Sequence, residues 1–281
     1  MVVAHVERLS RRDFLRGAAA LAAAGAAGPA LASGPDLPVS EERDFDVPGL
    51  HPAHDGLRVA QISDVHVGPH TPPERIRAAV EAANAFDPDL VALTGDYLSK
   101  DKAGVGLMRE LLGGLSAPAV AVLGNHDHWV DPQGATDSLE ALGYAVLRNQ
   151  YTTLTVRGEP FTVVGIDDGF TGHADPERSL HGAPEGSRLV LAHTPTTAKR
   201  LARMGEQALC LSGHTHGGQI SIPIISPLAY LVAGEPFRRG LYRLGGVQLY
   251  VNRGVGSSFW DFRVNSPPEV TLATLRAADP A

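Results

Sequence analysis

A single cysteine, Cys210, stands in 281 residues, so no intramolecular disulfide can brace the chain, even in an oxidising compartment. It sits in the apolar run Ala208-Leu209-Cys210-Leu211, where a free thiol packs as a small hydrophobe, and a buried place in the core is expected. Basic charge is also scarce: 24 Lys and Arg face 31 Asp and Glu, a formal charge of -7. Residues 1–32 carry four of the Arg and two of the acids, and without them 20 bases face 29 acids, a charge of -9. That balance excludes a protein that binds along a nucleic-acid backbone, which needs cations to displace counterions. A compact anionic substrate would instead need metal ions to hold it. No apolar stretch approaches the roughly 20 residues that span a bilayer. Internal repeats are absent, and low complexity is confined to the first 32 residues. What remains, 43% hydrophobic and 20% charged, is the composition of one globular core domain.

The N-terminus reads as a leader. Ser10-Arg11-Arg12-Asp13-Phe14-Leu15-Arg16 precedes a mild Ala/Gly/Leu stretch from Gly17 to Ala27 and then Ala30-Leu31-Ala32, a basic, apolar and small-residue succession. The paired arginines followed by Phe-Leu resemble a bacterial twin-arginine export signal. That resemblance implies residues 1–32 as a signal peptide cleaved after Ala32, the export machinery as a partner, and the periplasm or cell envelope as destination; an uncleaved anchor is the alternative. Export of an already folded chain suits a protein that must take up metal first. Residues 33–54, with Pro35, Pro38, Pro48 and Pro52 and no sustained periodicity, read as a linker or an N-terminal arm.

From residue 55 to 281 a catalytic domain is expected. Apolar runs at Leu57 to Ile62, Leu90 to Leu93 and Ala119 to Leu123 alternate with helical patterns at Pro73 to Phe86 and Val105 to Leu112, a βαβαβ order with parallel strands. Pro73 and Glu74 stand where a helix begins. Tyr151 to Val156 and Phe161 to Ile166 flank a hairpin-like turn, and further strands are expected at Arg188 to Ala192, Leu209 to Ser212, Val247 to Asn252 and Val270 to Leu275. Two mixed sheets packed face to face with helices outside, an α/β/β/α sandwich, accommodate this count.

Polar clusters close five of the runs: Ser63-Asp64-Val65-His66, Thr94-Gly95-Asp96, Gly124-Asn125-His126-Asp127, Ala192-His193-Thr194 and Ser212-Gly213-His214-Thr215-His216. Carboxyl ends of strands are where ligands bind in open α/β sheets, so these clusters are expected to converge. Carboxylates and imidazoles with one amide suit Mn²⁺, Fe²⁺ or Zn²⁺ rather than Ca²⁺ or an iron–sulfur cluster. Two divalent ions sharing a carboxylate fit this set better than one. Gly213, Gly217 and Gly218 allow backbone to pass close to such a centre.

Together, in order, Asp64-x-His66, Gly95-Asp96, Gly124-Asn125-His126-Asp127, His193 and Gly213-His214-x-His216 resemble the motifs of the calcineurin-like metallophosphoesterases across residues 62–218. The resemblance implies that Asp64, His66 and His216 hold one ion, that Asn125, His193 and His214 hold the other, and that Asp96 bridges them. His126 is then free to hold the phosphoryl group or protonate the leaving alkoxide, with Asp127 orienting it. Water activated by the ions would attack phosphorus, so no protein nucleophile is needed, and no serine stands in a hydrolase elbow.

The substrate is expected to be a phosphoester, a diester in a lipid-linked, nucleotide or cell-envelope molecule. Gly95-Asp96-Tyr97-Leu98-Ser99-Lys100 lacks the Asp-Arg-Gly continuation of the protein phosphatases, and Asp127 replaces their Glu. A phosphomonoesterase and a silent protein-binding scaffold are the alternatives, although no ligand of the set is missing. A binuclear amide or lactam hydrolase would need a denser histidine loop than His126-Asp127-His128-Trp129-Val130. His128 and Arg253 are candidate substrate contacts, Arg253 as a bidentate clamp or an ordinary salt bridge. His70, His173 and His181 read as surface or supporting residues. Ile220 to Ala233, apolar but broken by Pro223 and Pro227, is either a lip that touches a membrane surface or lipid tail, or a loop packed on the core.

Overall fold

The computed structural model describes residues 37–186, 188–221, 235–258 and 261–278. The expected leader, its expected cleavage after Ala32 and residues 222–233 of the apolar segment lie outside the described residues. No described helix is long and apolar enough to cross a membrane.

Leu57-Arg58-Val59-Ala60-Gln61-Ile62 shows why the strands read as near-continuous apolar runs. Leu57 and Val59 pack into one apolar cluster while Ala60 and Ile62, pointing the other way, pack into another. Both faces are buried. This strand, β2 (Leu57–Ile62), runs parallel to β3 (Leu90–Leu93), which pairs with β4 (Ala119–Ala121), which pairs with β5 (Ala145–Val146). On its other side β2 meets β12 (Glu269–Ala278) antiparallel, and β12 meets β1 (Val39–Pro48) in parallel. The second sheet has the order β10 (Gly240–Leu244), β11 (Val247–Val251), β9 (Ala208–Ser212), β8 (Arg188–Ala192), β7 (Glu159–Ile166) and β6 (Gln150–Val156). Its four central strands are parallel and its edge strands antiparallel.

Three apolar layers follow. Val59, Leu90, Ala92 and Val120 of the first sheet meet Phe161, Val163, Leu189 and Leu211 of the second between the sheets. Outside the first sheet lie α1 (Pro73–Ala85), α2 (Gly104–Leu112) and α4 (Pro132–Glu140), which bring Ile76, Ala79, Met108, Leu112 and Leu139 down onto Ile62 and Leu93. In α1 the buried positions Ile76, Ala79, Val80 and Ala83 keep the spacing of a one-faced helix, and Pro73 occupies its first turn. Outside the second sheet, α5 (Ala198–Arg203) packs Ala198 and Leu201 on Val190 and Cys210. The arrangement is the expected α/β/β/α sandwich, with Cys210 fully buried.

The segment expected as a linker or N-terminal arm, residues 33–54, contains a strand. Residues 39–48 are a ten-residue edge strand that hydrogen-bonds to the last strand, from Val39 opposite Glu269 to Pro48 opposite Ala278. Only Phe45 and Val47 are buried along it, so no apolar alternation marks it in the sequence. Its exposed Glu42, Arg43 and Asp44 are the charges that keep an edge from pairing with other chains.

Candidate metal centre

Each polar cluster is placed by the strand that precedes it. Asp64 and His66 follow β2, and Asp96 follows β3. Asn125 and His126 open the short helix α3 (Asn125–Val130) after β4, His193 follows β8, and His214 and His216 follow β9. The loops are tied together by backbone: the Asp64 amide donates to the Gly95 carbonyl, His66 to Asp96, Gly213 to His193, and Gly256 to Asp64. Five of the seven expected ligands, Asp64, His66, Asp96, His214 and His216, have φ between 47° and 72°. That left-handed region costs a non-glycine residue energy, so its concentration here means the surrounding fold imposes the conformation to aim these side chains inward.

Inward they converge. The Nε2 atoms of His66 and His216 lie 2.9 Å apart, with Asp64 Oδ1 3.4 Å from His216 Nε2. Asp96 Oδ2 lies 3.4 Å from His66 Nε2 and 3.3 Å from His193 Nε2. Asn125 Oδ1 lies 3.2 Å from His193 Nε2 and 2.7 Å from His214 Nδ1, and those two nitrogens are 3.3 Å apart. Donors about 2.1 Å from a common divalent ion sit roughly 3.0–3.4 Å from each other in octahedral or tetrahedral arrangement. Two such groups are present and share one oxygen, Asp96 Oδ2. The described residues thus bring the expected ligands together into two donor groups that meet at Asp96.

The partners of these donors suit the same role. His193 Nδ1 donates to the Thr94 carbonyl at 2.8 Å, which leaves Nε2 for an ion. Asp64 accepts from Ser63 Oγ at 2.6 Å and from the His214 amide. Arg263, buried beneath the site, reaches His216 Nδ1 at 3.1 Å. Burial pushes His66 down to about 3 and, together with the neighbouring His193, His214 down to about 4, so neither imidazole holds a competing proton at neutral pH. Burial pushes Asp64 up to about 6. Burial also opposes the charge on His193, but Asp96 and Asp64 overcome it and hold His193 well above its usual value. Two glycines make the close packing possible: a Cβ at Gly124 would overlap the Asp96 carboxylate, and one at Gly213 would overlap Ser63 and Asp64.

Not every expected site residue has the expected part. Asp127 does not orient His126. Its fully buried carboxylate accepts the amides of Gly124, Asp96, Tyr97 and Leu98 at 2.9–3.0 Å and so fixes the loop that carries Asp96. A carboxylate, with two oxygens that only accept, can take these four amides, three from the loop after β3 and one from Gly124. Asp127→Ala is expected to lower stability by at least about 3 kcal/mol, because it strands those buried donors, and urea denaturation will measure it. A loss under 1 kcal/mol would show the loop to be held otherwise.

The His126 ring is held instead by the Ser99 carbonyl, 2.8 Å from Nδ1. A carbonyl only accepts, so Nδ1 carries the proton in this contact. One His126 nitrogen also lies within 4.8 Å of donor atoms of His66 and Asp96. His128 is not on an open cleft wall: its Nε2 lies 2.6 Å from Asp167 Oδ1 and its ring stacks on His173 at 4.1 Å. Arg253 is committed to ion pairs with Glu269 at 2.7 Å and Glu41 at 3.4 Å rather than offered as a clamp. Sequence reasoning missed Ser99, Arg263, Asp167 and Asp168, which lie outside the motif cores, and nothing in the spacing of Arg263, 47 residues beyond His216, signals its contact.

Residues 57–218 match the calcineurin-like phosphoesterase family, and the chain belongs to it. It is similar to the uncharacterized metallophosphoesterase YkuE of Bacillus subtilis, 31% identical over 98% of this chain and 100% of that one. Phosphodiesterase YaeI of Escherichia coli is 33% identical over 78% of this chain and 82% of its own length. UDP-2,3-diacylglucosamine pyrophosphatase LpxG of Chlamydia trachomatis is 28% identical over 77% of this chain and 83% of its own.

Proposed function

We propose that this phosphoesterase hydrolyses a phosphodiester with two divalent ions, Mn²⁺, Fe²⁺ or Zn²⁺, in the cell envelope. The observation that carries the reading is the pair of donor groups joined at Asp96 Oδ2. Such ions, when bound, polarise phosphoryl oxygens and make water a nucleophile at neutral pH. The chain supplies the rest. Asp96 and Asn125 hold their places because Asp127 and Gly124 fix the loops beneath them. His126, steadied by Ser99, presents Nε2 toward the reacting group and delivers the proton the leaving alkoxide needs. The preference for diesters is supported by the names of relatives that act on phosphodiesters or pyrophosphates and by the absence of the protein-phosphatase continuation after Asp96.

Turnover decides it. The protein, stripped of metal and restored with each ion, is expected to hydrolyse bis(p-nitrophenyl) phosphate faster than p-nitrophenyl phosphate. The reverse order would make it a monoesterase, and no turnover with any ion would remove the enzymatic reading.

Export by the twin-arginine route belongs to the same proposal and is supported by Arg11-Arg12 before Phe14-Leu15. Replacing Arg11 and Arg12 by Lys is expected to leave the protein in the cytoplasm on fractionation. Export that survives the change would refute this route.

A further inference from the structure

Among the described residues, Trp129 and Phe170 are the exposed aromatic side chains, at 58% and 55%, and they stand together. Their ring centroids are 5.9 Å apart at 75°, so the two rings form a corner. One wall leans on His126, 5.0 Å from Trp129, and the other on His214, 5.0 Å from Phe170. Trp129 follows His126 by three residues on α3 and therefore shares its face.

The Phe170 wall is built to stay exposed. Its amide donates to Thr194 Oγ1, and Thr194 donates in turn to fully buried Asp168, which also accepts the Thr171 amide and hydroxyl. Asp167 caps the Asp168 amide and binds His128 of α3, and His128 stacks on His173 of the same loop. The network therefore locks the Phe170 loop to the helix carrying Trp129 and sets the angle between the rings. Among the described residues, the basic side chain that reaches it, Arg148, is paired with Asp167.

We propose that this corner is a subsite for a planar, uncharged aromatic ring on the ester arm beside His126, so that the preferred diester carries a nucleobase or another aryl group there. A ring lying on one wall meets the other edge-on, both favoured aromatic geometries, whereas an alkyl chain gains contact area alone. With no unpaired cation among the described residues of the network, the arm is neutral beyond its reacting phosphate. The inference rests on the phosphodiesterase reading, and the test separates the two.

The metal-loaded protein is compared on adenosine 5′-methyl phosphate, phenylethyl methyl phosphate, dodecyl methyl phosphate and glycerol methyl phosphate. In parallel, adenosine 5′-monophosphate and glycerol phosphate are titrated as ligands. The kcat/KM ratio of either ring substrate over the glycerol diester is expected to fall about tenfold in Trp129→Leu and Phe170→Leu, which keep apolar volume but remove the ring. Metal content serves as the folding control, and Trp129→Phe is expected to restore part of the ratio. A loss for the adenosine diester alone assigns a nucleobase; a loss for both ring substrates assigns any aryl group. Equal losses on all diesters, an unchanged ratio, or a loss confined to the dodecyl diester would overturn the proposal. If no diester turns over, the phosphodiesterase reading fails, and the binding ratio of the two monophosphates in the parent and Leu variants still decides the corner.

Discussion

Asp96→Ala is expected to empty the centre of metal and to lower kcat/KM by at least about 10³-fold, about 4 kcal/mol of transition-state stabilisation. Asp96 is the residue for which this holds most strongly, because one of its oxygens faces His66 on one side and His193 on the other. In the partition the resemblance implies, every other expected ligand serves one donor group. Its second oxygen accepts the His126 amide at 2.8 Å, so the substitution also releases the start of α3. Asp96→Asn keeps the shape and separates charge from packing: it is expected to fold with normal stability yet bind metal poorly. Elemental analysis beside activity checks both variants. Full metal content in Asp96→Ala would show that the two groups do not share this carboxylate.

His126→Ala should give the opposite pattern. The ring is held by a carbonyl and is no ligand in the partition described above, so metal content is expected near normal while kcat falls about 10²–10⁴-fold, the worth of a positioned proton donor. The loss is expected to shrink on substrates with good leaving groups such as p-nitrophenolate, which need no proton. Equal metal loss in His126→Ala and Asp96→Ala would make His126 a ligand, a placement its distance from His66 and Asp96 would allow.

The parts of the molecule legible in the sequence are those where local pattern and tertiary role coincide. Leu57 to Ile62, Leu90 to Leu93 and Arg188 to Ala192 are strands with the expected bounds, because strands buried on both faces are written as unbroken apolar runs. The residues that converge at the candidate centre were legible because each stands after such a run. Residues 39–48 were not, since a charged edge strand with two buried side chains looks like a linker until its partner, more than 200 residues away, is known. Asp127 illustrates a second limit. Adjacency to His126 suggested a contact between side chains, but successive residues of a helix point in different directions, and Asp127 turns back onto the Asp96 loop. The aromatic corner is a third case: Trp129 and Phe170 are 41 positions apart and meet only because Asp167 and Asp168 bind both segments.

The pairing of β1 with β12 also governs when the molecule can be finished. Val39 lies opposite Glu269, so the sheet edge closes a loop of more than 200 residues, and such distant pairings form slowly. Glu269 donates its amide to the Gly254 carbonyl, and the same turn gives Val255 and Gly256 amides to Ser63 and Asp64. On a ribosome, the parallel strands from β2 to β4 can associate as they emerge, while the bracing of Asp64 waits for the segment around residue 255 and the outer edge for the final strand. A nascent or C-terminally shortened chain would therefore carry its ligands before it could hold them in place, and ion uptake becomes a late event in synthesis.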